Sequence, residues 1–392
     1  MIGSSEQRKR KFTPEFLFYT VVKMVVGNSG YTKCLNAVWA SFDSALRAPF
    51  KSALTKIRNR VSFLFFKEQL DSLLTSFDPH RKTWRGLRIY ATDGDQLALP
   101  ASEDVLNAGY RGYPCKDQME THFPRMYLVQ CFDVISGVTR DFRYSHENQE
   151  VQLALEIASQ LEPNSVTLYD RLFFCRDLGV AHDSSKSFFF ARCRSGDTVL
   201  AEIRTFEQSN SKKRLVFING VEITLLKIKN PSTNEESIFA TNLPKKFLSA
   251  SRIKELYTLR WGVETVNRDF TATLAIETWH STSINGVLQE IYAGLWALNQ
   301  AKIQISNAIP KKGVLSPEHR EYVAANFKSL IEFLNEDLLS YAARPSKKLM
   351  SKLAMLIKRT SEIRQRLRRT APRVVKREGS RFPSCSLTKR RS

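Results

Sequence analysis

At residue 86 the hydrophobic pattern changes period, and this change limits the fold more than any other feature of the chain. Leu87 to Thr92 alternates apolar and polar residues, and Gln96 to Leu99, Met126 to Val134 and Val138 to Tyr144 repeat the alternation. Such a period of two belongs to half-buried strands. A helical pattern near 147–161 follows, then strand patterns at Ser165 to Tyr169 and Ser187 to Cys193, separated by a helix-like stretch around 171–179. The order βββ-α-β-α-β predicts an α/β fold, a mixed sheet of five strands covered by helices.

The flanking segments read differently. Thr13-Pro14-Glu15 carries a capping hydroxyl, a proline at the first helical position and an acid in the first turn, and so starts a helix over 14–26. Helical spacing continues near 31–47 and from about Ser52, where Lys51, Lys56, Arg58 and Arg60 lie among Ala53, Leu54, Ile57 and Val61. Residues 1–80 therefore form a helical domain, and short helices with a basic third member suit a DNA reader of the helix-turn-helix kind, although plain packing with a solvated basic face explains them equally.

Residues 81–196 and 244–308 make the α/β core. Residues 197–243 interrupt it as a β-rich insertion, with strands expected at Val199 to Phe206, Arg214 to Ile218, Val221 to Ile228 and Ser237 to Ala240, joined by Asn219-Gly220 and Asn230-Pro231 turns. Beyond it, Lys246 to Phe270 and Ile284 to Ala308 are long helices, and the region 309–370 continues with helices at 317–340 and 346–368. The basic, proline-bearing tail 371–392 is expected to be disordered without DNA.

The formal net charge of +21 is concentrated at the two ends of the chain. Residues 1–80 hold 12 Lys/Arg against 6 Asp/Glu, residues 344–392 hold 17 against 2, and the remainder holds 31 of each. A neutral body between basic ends suits an enzyme that handles a polyanion, because each phosphate contact releases counterions. A solubilising tail would look similar. No apolar run is long enough to span a bilayer, no secretory signal is evident, and the six cysteines show no C-x-x-C spacing, so the chain reads as cytosolic with buried thiols.

Asp93 follows one strand pattern and Asp170 ends another, which places two carboxylates where a sheet can hold them close together. Glu264 lies on a helical pattern, and Tyr257, Arg260, Glu264 and Arg268 share one face of it at spacings of three, four and four residues. Carboxylates from remote segments are the hard ligands that two divalent cations about 4 Å apart require for phosphodiester cleavage. Arginines on the same face could clamp phosphate through paired hydrogen bonds. A surface helix with Arg–Glu pairs is the alternative for that spacing.

The stretch Glu255-Leu256-Tyr257-Thr258-Leu259-Arg260-Trp261-Gly262-Val263-Glu264 resembles the third motif of bacterial DDE insertion-sequence transposases, the branch with the signature Tyr-x2-Arg-x3-Glu-x6-Lys. Thr92-Asp93-Gly94-Asp95 resembles the first-aspartate motif, Tyr169-Asp170-Arg171-Leu172-Phe173 the second, and Ala240-Thr241-Asn242-Leu243 the stretch that precedes the third. The resemblance spans roughly residues 8–385.

That resemblance implies a ribonuclease H-like catalytic core, with Asp93, Asp170 and Glu264 as catalytic residues and ligands of two Mg²⁺ ions, or of Mn²⁺ in their place. It implies cleavage at the ends of an insertion element and strand transfer into target DNA. The implied partners are double-stranded DNA, as terminal inverted repeats and target, and a second copy of the chain in a homodimer on DNA. The expected location is the bacterial cytoplasm, at the nucleoid.

Tyr257 and Arg260 would hold end-DNA phosphates by the same resemblance, with Arg268, Lys51, Lys56, Arg58 and Arg60 as further DNA-binding residues. The branch also implies a hairpin intermediate and a base flipped onto an aromatic of the insertion. Phe206, Phe217 and Phe239 are the aromatics considered there, and core packing is the expected role of each. The position of the signature lysine is Thr271. Arg268 could supply the missing charge; otherwise the chain is a catalytically impaired relative that acts as a DNA-binding protein.

Overall fold

Thr13 and Pro14 start the first helix as their chemistry requires: the Thr13 side chain accepts a hydrogen bond from the Phe16 amide at 3.2 Å, and α1 runs Pro14–Gly27. In the computed structural model of the protein, residues 13–42, 50–112, 121–196, 200–229, 236–259, 270, 274–308, 321–324, 326–343 and 347–365 are described. Helices α2 (Tyr31–Phe42), α3 (Lys51–Arg60) and α4 (Phe63–Phe77) complete the helical start.

The strands are β1 (Arg88–Ala98), β2 (Arg125–Asp133), β3 (Thr139–Ser145), β4 (Ser165–Tyr169) and β5 (Phe188–Arg192), with α5 (Glu103–Asn107), α6 (Glu150–Ser159) and α7 (Leu178–Ser184) between them. Three more strands come from the insertion, β6 (Lys213–Ile218), β7 (Val221–Lys229) and β8 (Glu236–Thr241), preceded by α8 (Ala201–Glu207).

All eight belong to one sheet, in the order β3-β2-β1-β4-β5-β8-β7-β6. The expected five-stranded sheet is thus extended, because β8 adds itself antiparallel to β5 and brings the β6–β7 hairpin with it. The hairpin turns through Asn219 and Gly220, whose φ values of 47° and 80° are those a two-residue connection of this hand needs. The segment expected as a strand at Val199 to Phe206 is instead the helix α8, which buries Ile203 and Phe206 one turn apart. Seven residues are too few to separate the two periods.

After the sheet come α9 (Ala250–Leu259) and α10 (Ile284–Ala308). The C-terminal region adds β9 (Glu321–Ala324), α11 (Phe327–Ala343), α12 (Lys347–Thr360) and β10 (Glu362–Gln365), so the two helices expected there are each accompanied by a short strand, and the strands pair with each other. The tail 371–392 lies outside the described residues.

Two cores sandwich the sheet. On one face Ile89, Ala91, Leu168, Phe190 and Phe239 pack with α1, α4, α9 and α10; on the other Tyr90, Tyr169, Phe189 and Ala191 pack with α6, α7 and α8. The helical start therefore shares its core with the sheet, and Phe18 meets Trp296 of α10 edge-on at 5.3 Å. Cys34, Cys131 and Cys193 are buried free thiols. Among the described residues no helix is long and apolar enough to cross a membrane.

His182 on α7 is fully buried between Tyr169 Oη at 3.0 Å and Ser187 Oγ at 2.6 Å, which together hold its two ring nitrogens. Burial lowers its pKa to about 3. The folded protein keeps this ring neutral, whereas the unfolded chain takes up a proton below about pH 6.5, so stability present above that pH is lost as pH falls toward 3 at roughly 1.4 kcal/mol per unit. Between pH 7 and pH 5 the His182→Gln variant should lose about 2 kcal/mol less stability than the parent chain, as read from urea midpoints. An equal pH slope in both proteins would show that the imidazole is not held neutral.

Candidate active site

The site is set by one stretch of strand pairing. β1 and β4 run parallel with Thr92 opposite Tyr169, and the next residue in each strand direction is Asp93 and Asp170. Neighbouring strands lie about 4.8 Å apart, so side chains at matching positions on one face are adjacent. Alternation decides the face: Tyr90, Thr92 and Tyr169 point to the side of α6 and α7, and Asp93 and Asp170 therefore point to the side on which α9 and α10 pack. Both aspartates are half-buried.

Asp93 was expected at a strand end, but it lies inside β1, because the stretches read as two strands are one. β2 pairs with this strand as far as Ala98, including Asp93 opposite Gln130, while β4 stops at Thr92. One neighbour thus holds the backbone of Asp93 rigid and the other leaves its far side open. Asp95 shares the face of Asp93, and its carboxylate accepts a hydrogen bond from the Gln96 amide at 2.8 Å.

Glu150, at the start of α6, supports the strand from the opposite face. Its Oε2 would collide with a Cβ placed on Gly94, so the glycine leaves room for the carboxyl beneath the backbone that links Asp93 and Asp95. Burial, and then the charge of Asp95, raise the Glu150 pKa above the usual carboxylate value. Sequence reading missed this residue, whose only signal was a glycine between two aspartates.

The third acid, Glu264, falls outside the described residues, as do Arg260, Arg268 and Thr271. Tyr257 lies on α9, and its side chain is likewise outside them. On either side of Glu264 the chain is anchored in the core of the aspartate face, by Ile253, Leu256 and Leu259 before it and by Phe270, Leu274 and Ile276 after it. Arg85 reaches Glu255 at 3.4 Å near the beginning of β1. At the end of that strand the Ala98 amide donates to Glu277 at 2.9 Å, and Trp279 Nε1 donates to the Ala98 carbonyl at 2.6 Å.

Two half-buried carboxylates on adjacent strands are a donor set that suits a hard divalent cation. Among the described residues no cluster of three His, Cys, Asp or Glu side chains has metal-binding geometry.

The basic residues of α3 divide by face. Lys51, Lys56 and Arg60 are exposed, and Lys51 Nζ stands 5.2 Å above the Tyr31 ring. Arg58, expected to bind DNA, is buried at 3% exposure. Its guanidinium donates to Glu290 and to the Gly286 carbonyl at 2.8 Å, to Gln289 at 3.0 Å and to Tyr31 Oη at 2.7 Å. The expectation fails because Leu54 and Arg58, four residues apart, form the inner face of the helix. Of the aromatics in the insertion, Phe206 and Phe239 are core residues, while Phe217 on β6 is 66% exposed.

Comparison with known proteins gives the family of the chain. Residues 84–300 match the model of the transposase DDE domain, which is more than half of the chain, and the protein belongs to that family. The candidate transposase InsZ of Escherichia coli (strain K12) is 28% identical over 170 residues, 40% of this chain and 54% of that protein. The chain thus spans about half the length of the curated relative it matches. A solved structure of the piggyBac transposase synaptic complex with hairpin DNA aligns at a TM-score of 0.45 with 13% identity, covering 90% of this chain and 79% of that one.

Removing one partner of a buried ion pair leaves the other charge uncompensated, at a cost of about 3–5 kcal/mol. Arg58→Ala should therefore lower the melting temperature sharply. Lys56→Ala, at an exposed position, should change stability by less than about 0.5 kcal/mol. Equal melting shifts in the two variants would contradict the burial of Arg58.

Proposed function

We propose that the protein is a DNA transposase that cleaves DNA at the ends of an insertion element and joins the freed strand to target DNA. The observation that carries this reading is the register of β1 and β4, which sets Asp93 beside Asp170 on one face of the sheet. Membership of the transposase DDE family gives the pair its context. The strand order β3-β2-β1-β4-β5, with the insertion following β5, supports a ribonuclease H-like core.

Glu264 is the third acid of this proposal. The chain is tied near the start of β1 through Glu255 and at its end through Glu277. The described residues on either side of Glu264, Leu256 and Leu259 before it and Phe270 and Leu274 after it, are buried in the core of the face that bears Asp93, and this supports Glu264 as the third acid. Tyr257, Arg260 and Arg268 share the helical face of Glu264 in sequence and serve as phosphate contacts in this reading.

Asp93, Asp170 and Glu264 together would hold Mg²⁺, or Mn²⁺, as two ions. Divalent cations bound there supply a nucleophile at neutral pH and stabilise the leaving oxygen. Asp93 and Asp170 would hold those cations from the sheet, and the half-buried position of both aspartates limits the access of bulk water. The exposed residues Lys51, Lys56 and Arg60 and the basic tail add affinity for duplex DNA that does not depend on sequence. Phe217 is the one of the three aromatics that is open to a flipped base. Paired element ends call for a homodimer on DNA, and the place of action is the nucleoid in the bacterial cytoplasm.

Asp93→Ala, Asp170→Ala and Glu264→Ala should each abolish Mg²⁺-dependent nicking of a plasmid that carries the DNA flanking the coding region, with binding of the same DNA retained. Nicking that survives any one substitution removes that acid from the site. Deleting residues 371–392 should weaken DNA binding and flatten the dependence of log K on log salt, because the slope counts phosphate contacts. An unchanged slope would reduce the tail to a solubilising role.

A further inference from the structure

The pairing that aligns the two aspartates continues across the sheet. Tyr169 of β4 lies opposite Ala191 of β5, so the residue that follows each in the same direction is Asp170 and Arg192. Arg192 is opposite Phe239 of β8, and Phe239 is opposite Leu226 of β7, which is opposite Lys213 of β6. Asp93, Asp170, Arg192, Phe239, Leu226 and Lys213 thus form one row on one face. Phe190, Phe239 and Leu226 in the core of the α9 side confirm which face it is.

Arg192 is half-buried, and among the described residues no hydrogen bond or ion pair engages its guanidinium. The ring of Phe239 beside it stacks on Phe190 at 5.0 Å and 17° between planes, which forms an apolar floor for the stem of the arginine. Arg194, two residues further on the same side, is exposed. A cation in the row of Asp170, one strand away from it and two from Asp93, suits a ligand that brings its own negative charge.

We propose that Arg192 forms a phosphate subsite beside the acidic pair, holding a phosphodiester of the DNA strand whose neighbouring linkage reaches Asp93 and Asp170. This deepens the transposase reading and rests on it. The guanidinium offers two parallel donors to a phosphate's oxygens, which fixes the orientation of the strand in a way that a point charge does not. The insertion acquires a positional role: by pairing β8 to β5 it builds the wall against which Arg192 lies, and Lys213 at the far edge extends the positive row along the path of the strand.

The test uses the full chain with Arg192→Met, which keeps the packed stem, Arg192→Gln, which keeps a polar head, and Arg192→Lys. In EDTA, binding to the flanking duplex should show a salt slope lower by about one in the Met and Gln variants, the loss expected of a single phosphate contact. In Mg²⁺, single-turnover nicking at saturating DNA should fall by roughly 10²-fold, with the DNA concentration for half-saturation changing by less than about threefold. Arg192→Lys should restore the slope but only part of the rate, since the paired donors are lost. Parental slope and rate in whichever neutral variant folds would overturn the subsite. Asp93→Ala separates the two levels: if it still nicks DNA, the transposase reading itself fails, whereas an inactive Asp93→Ala beside an unaffected Arg192→Gln defeats the subsite alone.

Discussion

Everything at the site depends on β1 and β4 lying parallel and in register. A shift of one residue between them would turn Asp170 to the opposite face, against α6 and α7, and separate it from Asp93 by the thickness of the sheet. The register is held by burial on both faces. Ile89 and Ala91 pair with Val166 and Leu168 in one core, and Tyr90 pairs with Thr167 beside Tyr169 in the other. The hydroxyl of Tyr169 meets His182, which is in turn held by Ser187. A hydrogen-bonded chain inside an apolar layer thus fixes the residue immediately before Asp170.

Two carboxylates brought side by side repel. The fold tolerates this because each aspartate remains half exposed, and because Arg192 follows Asp170 in the same row. Arg192 places positive charge in the same row, on the side of the insertion.

The elements legible in the sequence were those whose pattern had one reading. Thr13-Pro14 started α1 where expected, Ile284–Ala308 matched its helical pattern, and Asn219-Gly220 turned the hairpin. The acid pair was also legible, since each aspartate followed a recognisable strand pattern. Failures came where two readings fit equally. Polar residues of β1 around Asp93 looked like an interruption, yet the pairing with β2 carries the strand through them to Ala98. Basic residues on α3 look alike in sequence, and only the contacts with Glu290, Gln289 and Tyr31 show that Arg58 serves cohesion while Lys56 and Arg60 face outward. Arg192 and Glu150 were invisible for a different reason. Their positions follow from which strand lies beside which, and no local pattern encodes a neighbour far away in sequence.

The same argument explains why the insertion belongs in the sheet. Its last strand, β8, pairs with β5 and ends at Thr241, with β4 and β5 between it and β1. To close the fold the chain must return across the aspartate face, and it does so through Leu243 and Phe247, buried in that core, until Phe247 meets Trp84 at 5.9 Å and Glu255 meets Arg85. Later in the chain Glu277 and Trp279 hydrogen-bond to Ala98 at the end of β1. An insertion folded as a separate unit would impose no such path. Because β8 is a strand of the main sheet, the described residues Leu256, Leu259, Phe270 and Leu274 that follow it pack in the core of the face on which Asp93, Asp170 and Arg192 stand.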